Sequence, residues 1–120
     1  MNTRIIGQHG EDVAIDYLKT QGYTILDRNY FCHFGEIDVV AWDGEFIVFI
    51  EVKARADTSF GLPRQAVDWK KQQTIVKCAQ YWLFRHKRTG EPVRFDVVEI
   101  LGGVVNHIQD AFRPQSYKRY

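Results

Sequence analysis

Long apolar runs are missing from this sequence. The longest, Phe46–Ile50, is far too short to cross a bilayer, so no membrane partner is expected. The opening stretch MNTRIIGQHGED lacks the apolar core of a secretory signal. Cysteine is scarce as well. Cys32 and Cys78 are too few for a disulfide framework, and a reducing cytoplasm is the simplest compartment for them. His9, Cys32, His33 and Cys78 lack zinc-finger spacing. The only serines, Ser59 and Ser116, sit in no G-x-S-x-G elbow, which removes that route to a hydrolase. Neither a P-loop nor a dinucleotide fingerprint occurs. There is no internal repeat, low-complexity tract or interdomain linker, and 120 residues fit one domain.

What is present suits a globular protein, with 45% hydrophobic and 14% aromatic residues, enough to build a core. The net charge of +1 conceals an asymmetry. Residues 1–52 hold three Lys/Arg against nine Asp/Glu, whereas residues 53–94 hold ten against three. A basic middle in a nearly neutral chain suits an anionic partner, although a solvated helix face would have the same composition.

Periodicity assigns most of the chain. Ala14, Ile15 and Leu18 form a buried stripe in a helix over 3–20, with a stop at Gly22. Strands follow over 23–32, 36–42 and 45–54, the last two joined by Asp43-Gly44 as a two-residue hairpin loop. A second helix over 64–87 carries Ile75, Ala79, Trp82 and Leu83 on one stripe. Strands over 93–101 and 104–109 flank Gly102-Gly103. The order α-β-β-β-α-β-β predicts an α/β fold, a mixed sheet flanked by helices.

The hairpin contains charges in its most apolar segment. A two-residue loop sets Trp42 opposite Glu45, Asp38 opposite Phe49 and Glu36 opposite Glu51. One face is then Ile37, Val39, Ala41, Phe46, Val48, Ile50 and Val52, without a charge. The other gathers Glu36, Asp38, Glu51 and Lys53, with Asp38 and Glu51 as diagonal neighbours. Opposed carboxylates repel unless a cation lies between them, and a hard divalent ion prefers such oxygens. The simpler alternative is an exposed patch of Lys–Glu pairs. Glu11 shares the stripe of the first helix or its edge. By position alone, a solvent-facing acid complementing the helix dipole accounts for it more simply.

Several stretches together resemble a known pattern. They are Gly10-Glu11, Gly35-Glu36-Ile37-Asp38, Phe49-Ile50-Glu51-Val52-Lys53 with Arg55, Phe60-Gly61, Ala66-Val67 with Lys71, Arg94-Phe95-Asp96-Val97 and Ala111-Phe112. Asp38 followed by Glu51-Val52-Lys53 is similar to the core motif of the PD-(D/E)XK nuclease superfamily, with Ile37 where the superfamily's name has proline. More narrowly, the chain resembles the YraN-type family of small bacterial proteins, which is similar to archaeal Holliday junction resolvases. The resemblance implies a restriction-endonuclease-like core and a metal-dependent endonuclease acting on DNA, branched or junction DNA among its substrates. It implies that Asp38, Glu51 and the Val52 carbonyl hold Mg²⁺ or Mn²⁺, that Glu11 assists through the metal or its waters, and that Lys53 orients the attacking water.

The basic middle would then serve the substrate. Arg55, Lys70, Lys71 and Lys77 are candidates for phosphate contacts, together with Arg85, Lys87 and Arg88. Trp69, Tyr81 and Trp82 are interleaved with them and could stack on unpaired bases of single-stranded DNA, although burial suits Trp82 better. A homodimer would match a two-strand substrate. Two other readings stand beside this one: a nucleic-acid-binding module of nuclease fold without catalysis, and a protein-interaction scaffold.

Overall fold

The computed structural model describes residues 3–55 and 67–114, with side chains from residue 9 onward. The elements are α1 (Thr3–Thr20), β1 (Thr24–Cys32), β2 (Gly35–Trp42), β3 (Ile47–Arg55), α2 (Trp69–Arg85), β4 (Val93–Leu101) and β5 (Val104–Ile108). This is the α/β order expected from the sequence. Strands lie in chain order across one five-stranded sheet. Neighbours are antiparallel except β3 and β4, which run parallel with α2 as their crossover. The arrangement is compatible with a restriction-endonuclease-like core. No described helix is long and apolar enough to cross a membrane.

Each sheet face buries one helix. Ala14, Ile15 and Leu18 of α1 pack on Val39, Ala41, Val48, Ile50, Val98 and Ile100. On the opposite face, Ile75, Ala79 and Trp82 of α2 pack on Val40, Ile47, Phe49, Phe95 and Val97. Trp82 is buried, as its stripe position suggests, and meets Phe49 edge-on. Two glycines allow this closeness. A Cβ on Gly10 would lie 2.5 Å from Ala54 Cβ, and one on Gly35 would lie 2.7 Å from Thr74 Cγ2. Gly35 also adopts φ +147°, where a side chain would be strained.

The hairpin loop is longer than the sequence suggests. Trp42 pairs with Ile47 and Val40 with Phe49, so the loop has four residues and Glu45 is not opposite Trp42. Asp43 explains the extra length. Its Oδ1 accepts from the backbone N–H groups of Glu45 at 2.8 Å and Phe46 at 2.6 Å, and its Oδ2 accepts from Arg94 Nη1 at 2.7 Å. A tight Asp-Gly turn would use neither oxygen in this way. The register slips by two residues, an even number, so most side chains keep their expected face. Ile37 does not. It packs with Val40 and Phe49 under α2, while Val39 packs under α1. Alternation therefore breaks at Asp38, where the β2–β3 ladder also ends.

The second helix begins later than expected, since Val67 and Asp68 are not helical. Asp68 caps it by accepting from the Lys71 N–H at 2.8 Å. Residues 64–66 of the expected helix, and the Phe60-Gly61 pair, lie outside the described residues.

A buried polar cluster joins the far end of the sheet. Asp96, fully buried, accepts from Arg94 Nε at 2.9 Å and the Asp110 N–H at 3.0 Å, and lies 2.7 Å from His107 Nε2. Tyr17 reaches His107 Nδ1 at 3.0 Å, and Arg94 Nη2 donates to Tyr23 at 2.7 Å. Burial alone would raise the Asp96 pKa, but the bonds from His107, Arg94 and Asp110 outweigh it and hold it below 3.8. Its contribution to stability is thus complete above that value and is lost as pH falls through the folded-state pKa. Asp96→Asn should cost about 3 kcal/mol near neutrality. Urea midpoints measured from pH 7 down to 3 would show the wild-type advantage shrinking at the acid end.

Candidate functional site

The break at Asp38 creates the site. Past Val39 the β2 backbone no longer pairs with β3, and the Asp38 carboxylate takes over: its Oδ2 accepts from the Val52 N–H at 2.8 Å. Extending the observed register would set Asp38 directly opposite Glu51, not diagonal to it. Glu51 itself is 5% exposed. Burial pushes the Asp38 pKa up to about 8, helped by a hydrogen bond to Glu51 and by the charges of Glu51 and Glu11, with the Val52 N–H opposing. Asp38 is therefore held toward its protonated form near neutral pH, hydrogen-bonded to Glu51.

Two lysines answer the buried charge. Lys53 Nζ lies 3.7 Å and Lys71 Nζ 3.4 Å from Glu51 Oε2. Lys53 comes from the same strand, as expected. Lys71 comes from the first turn of α2. The sequence reading gave it to phosphate contact, and spacing alone could not disclose its pairing, because it depends on how α2 crosses the sheet. Burial would lower the Lys71 pKa, but the Glu51 carboxylate beside it raises it above the usual value, so it stays cationic.

The other expected residues divide. Glu11 projects from α1 with Oε1 3.7 Å from Arg28 Nε, and its charge reaches Asp38. It is partly buried, so the solvent-facing alternative does not describe it. Arg55, expected along the phosphate path, is turned inward at 11% exposure, and its Nη2 donates to buried Glu99 at 2.5 Å. The cause is the parallel register that sets Arg55 opposite Leu101, one pair beyond Ile100 and two beyond Glu99. Lys70, Lys77 and Arg85 are exposed on α2, a helix without a single acidic residue. Trp69 is exposed beside Lys70.

Among the described residues, no three His, Cys, Asp or Glu side chains come together as a ready-made metal cage. The oxygens that are present nonetheless fit a hard cation. Glu51 Oε2 and Glu11 Oε1 are buried without a partner in hydrogen-bond geometry, although cationic side chains lie 3.4–3.7 Å from each. Two carboxylates and the adjoining Val52 carbonyl are the groups that could hold such an ion.

The raised Asp38 pKa has a consequence for stability. A folded-state value above the unfolded 3.8 means that stability falls as pH rises from about 4 toward 8. In the presence of a chelator, Asp38→Asn should therefore stabilise the protein at pH 8, on the order of 1–3 kcal/mol. The gain should vanish toward pH 4. Chemical denaturation of both proteins at the two pH values measures it.

Comparison with known proteins gives the chain its relatives. The model of the uncharacterised protein family UPF0102 matches residues 10–100. A UPF0102 protein of Thermodesulfovibrio yellowstonii is 49% identical over 107 residues, covering 89% of this chain and 95% of its own. One from Persephonella marina is 43% identical, covering 90% and 93%. One from Clostridioides difficile is 40% identical, covering 93% and 100%. The matched span takes in Glu11, Asp38, Glu51 and Lys53, which are among the residues on which the YraN-type resemblance rested. The chain belongs to the UPF0102 family.

Proposed function

We propose that this protein is a metal-dependent endonuclease that hydrolyses phosphodiester bonds in DNA, branched or junction DNA among its substrates. The observation that carries the reading is the buried, hydrogen-bonded pair of carboxyl groups Asp38 and Glu51, flanked by two lysines on a basic face. A protein that only folds gains nothing from two opposed buried carboxylates, which cost stability.

Each residue has a task in this reading. Asp38, Glu51 and the Val52 carbonyl would hold Mg²⁺ or Mn²⁺, which would acidify an attacking water and offset charge on the phosphoryl oxygens. Lys53 orients that water and, with Lys71, presents fixed positive charge where negative charge develops. Glu11 adds a further oxygen at the edge of the site. Lys70 and Lys77 hold the DNA backbone without reading its sequence. Arg55 supports the strand through Glu99 instead of touching phosphate.

One observation favours the alternative of a binding module. Glu51 already lies within 4 Å of two ammonium groups, a cluster that compensates itself in the absence of a cation. The two readings diverge in a cleavage panel of branched, single-stranded and duplex DNA with Mg²⁺ or Mn²⁺. For a nuclease, Asp38→Asn and Lys53→Ala should each lower cleavage about a hundredfold or more. DNA binding should largely survive. If wild-type protein freed of host nucleases cuts nothing and binds DNA as Asp38→Asn does, the binding module is preferred.

The DNA path has its own test. Affinity should fall steeply with salt, and each of Lys70→Ala and Lys77→Ala should flatten the log–log slope by about one. An unchanged slope would move the DNA to another surface.

A further inference from the structure

The two cysteines of the chain meet in space although they lie 46 residues apart in sequence. Both are free thiols, and their Sγ atoms are 3.5 Å apart. Cys32 ends β1, and Cys78 lies midway along α2. Cys78 is fully buried in the core under α2, and Cys32 packs against the same core. Cys32 is only partly buried and lines a groove of about 500 Å³ beside β1, so of the two side chains it is the one open to solvent.

The surroundings hold the pair together. Cys32 pairs with Gly35 across the turn His33-Phe34 that joins β1 to β2. Gly35 sits directly on α2: a Cβ there would lie 2.7 Å from Thr74 Cγ2 and 3.6 Å from Cys78 Sγ. The missing side chain thus lets the turn approach the helix and brings the two sulfurs within reach. Lys71 lies two helical turns before Cys78 on α2, and its charge and that of Glu36 reach the Cys78 thiol. Between Cys32 and Cys78 run β2, β3 and the first half of α2, which carry Asp38, Glu51, Lys53 and Lys71. A bond between the sulfurs would close the segment that bears the candidate site into a ring. A buried cysteine is ordinarily a small apolar side chain that fills a core, which accounts for Cys78. It does not account for the second thiol of the chain lying against the first.

We propose that Cys32 and Cys78 are a reversible thiol–disulfide site, oxidised by a small disulfide such as glutathione disulfide, whose bond braces the β1–β2 turn against α2. The site is independent of the nuclease reading and goes beyond it. The exchange begins at Cys32. Its thiolate attacks one sulfur of glutathione disulfide, a bond forms between Cys32 and that sulfur as the old S–S bond breaks, and one glutathione leaves as thiolate. Cys78 then attacks the Cys32 sulfur and the second glutathione leaves. The protons of the two protein thiols end on the two glutathiones, and the two electrons lost by the protein reduce the glutathione disulfide. Burial, with the Cys32 thiol beside it, pushes the Cys78 pKa up to about 12, so Cys78 does not start the exchange. The sulfurs must close from 3.5 Å to a bonded distance of about 2 Å, and Cys32, the last residue of its strand, is placed to make that movement.

The test equilibrates the purified full chain with mixtures of reduced and oxidised glutathione, once folded and once in urea. Acid quenching, alkylation and mass spectrometry then count the species. A bond that stabilises the fold is favoured by the fold in equal measure. The folded protein should therefore form the intrachain disulfide with an equilibrium constant about thirtyfold or more above that of the unfolded chain. Oxidised protein should melt about 5 °C or more above reduced protein, and dithiothreitol should reverse the shift. Cys32→Ser and Cys78→Ala should each abolish the shift. Circular dichroism checks that both variants fold, and Cys32→Ser, at the more exposed position, serves alone if the core substitution does not. An equilibrium constant at or below the unfolded value, a mixed disulfide that persists at Cys32, a bond between two chains, or a melting shift that survives in the variants overturns the proposal. The nuclease reading uses neither thiol and would stand after such a result.

Discussion

The Arg94 guanidinium is the constraint on which the rest of the structure depends. From β4 it grips Asp43 in the β2–β3 loop, Asp96 on its own strand and Tyr23 behind α1. By holding one oxygen of Asp43 it keeps the loop at four residues, and loop length sets hairpin register. Register in turn decides which residues of β2 and β3 meet at the other end of the hairpin. The meeting of Asp38 and Glu51 is thus coupled to an ion pair at the turn end of the hairpin. Buried charge networks of this kind add little net stability but exclude alternatives, because removing one member strands the others.

Two aspartates of the sheet, Asp96 on β4 and Asp38 on β2, are treated in opposite ways. Around Asp96 every carboxylate oxygen has donors, and its pKa falls. Around Asp38 the donors are too few, and its pKa rises. The same residue type is held ionised on β4 and pushed toward neutrality on β2, within one sheet. Satisfaction marks the cluster that holds the fold together. Deficit marks the candidate site.

Much of this was legible beforehand. The stripe Ala14, Ile15 and Leu18, the second stripe through Trp82, and the apolar runs around Asp43-Gly44 predicted the element order correctly, because burial periodicity is a local property. Convergence of Asp38, Glu51 and Lys53 was legible too: β3 alternates as expected, and Asp38 reaches Glu51 even though β2 breaks there. What escaped was nonlocal. The loop length depends on Arg94, 51 residues from Asp43. The pairing of Lys71 with Glu51 depends on where α2 crosses, and the inward turn of Arg55 on a parallel neighbour carrying Glu99. Ile37 left its expected face because the strand breaks at Asp38, and no alternation rule foresees its own interruption.

The parallel pairing of β3 with β4 carries a consequence for how the chain folds. The β2–β3 hairpin is closed by a short loop, so it can form early and bring Asp38 and Glu51 together within microseconds. Lys71 arrives only when α2 docks and Ile47 finds Val93, a far more distant pairing in the chain. Until then the nascent hairpin holds its two carboxylates with Lys53 alone beside them. The helix that later shields the site therefore also ends the hairpin's period of greatest self-repulsion.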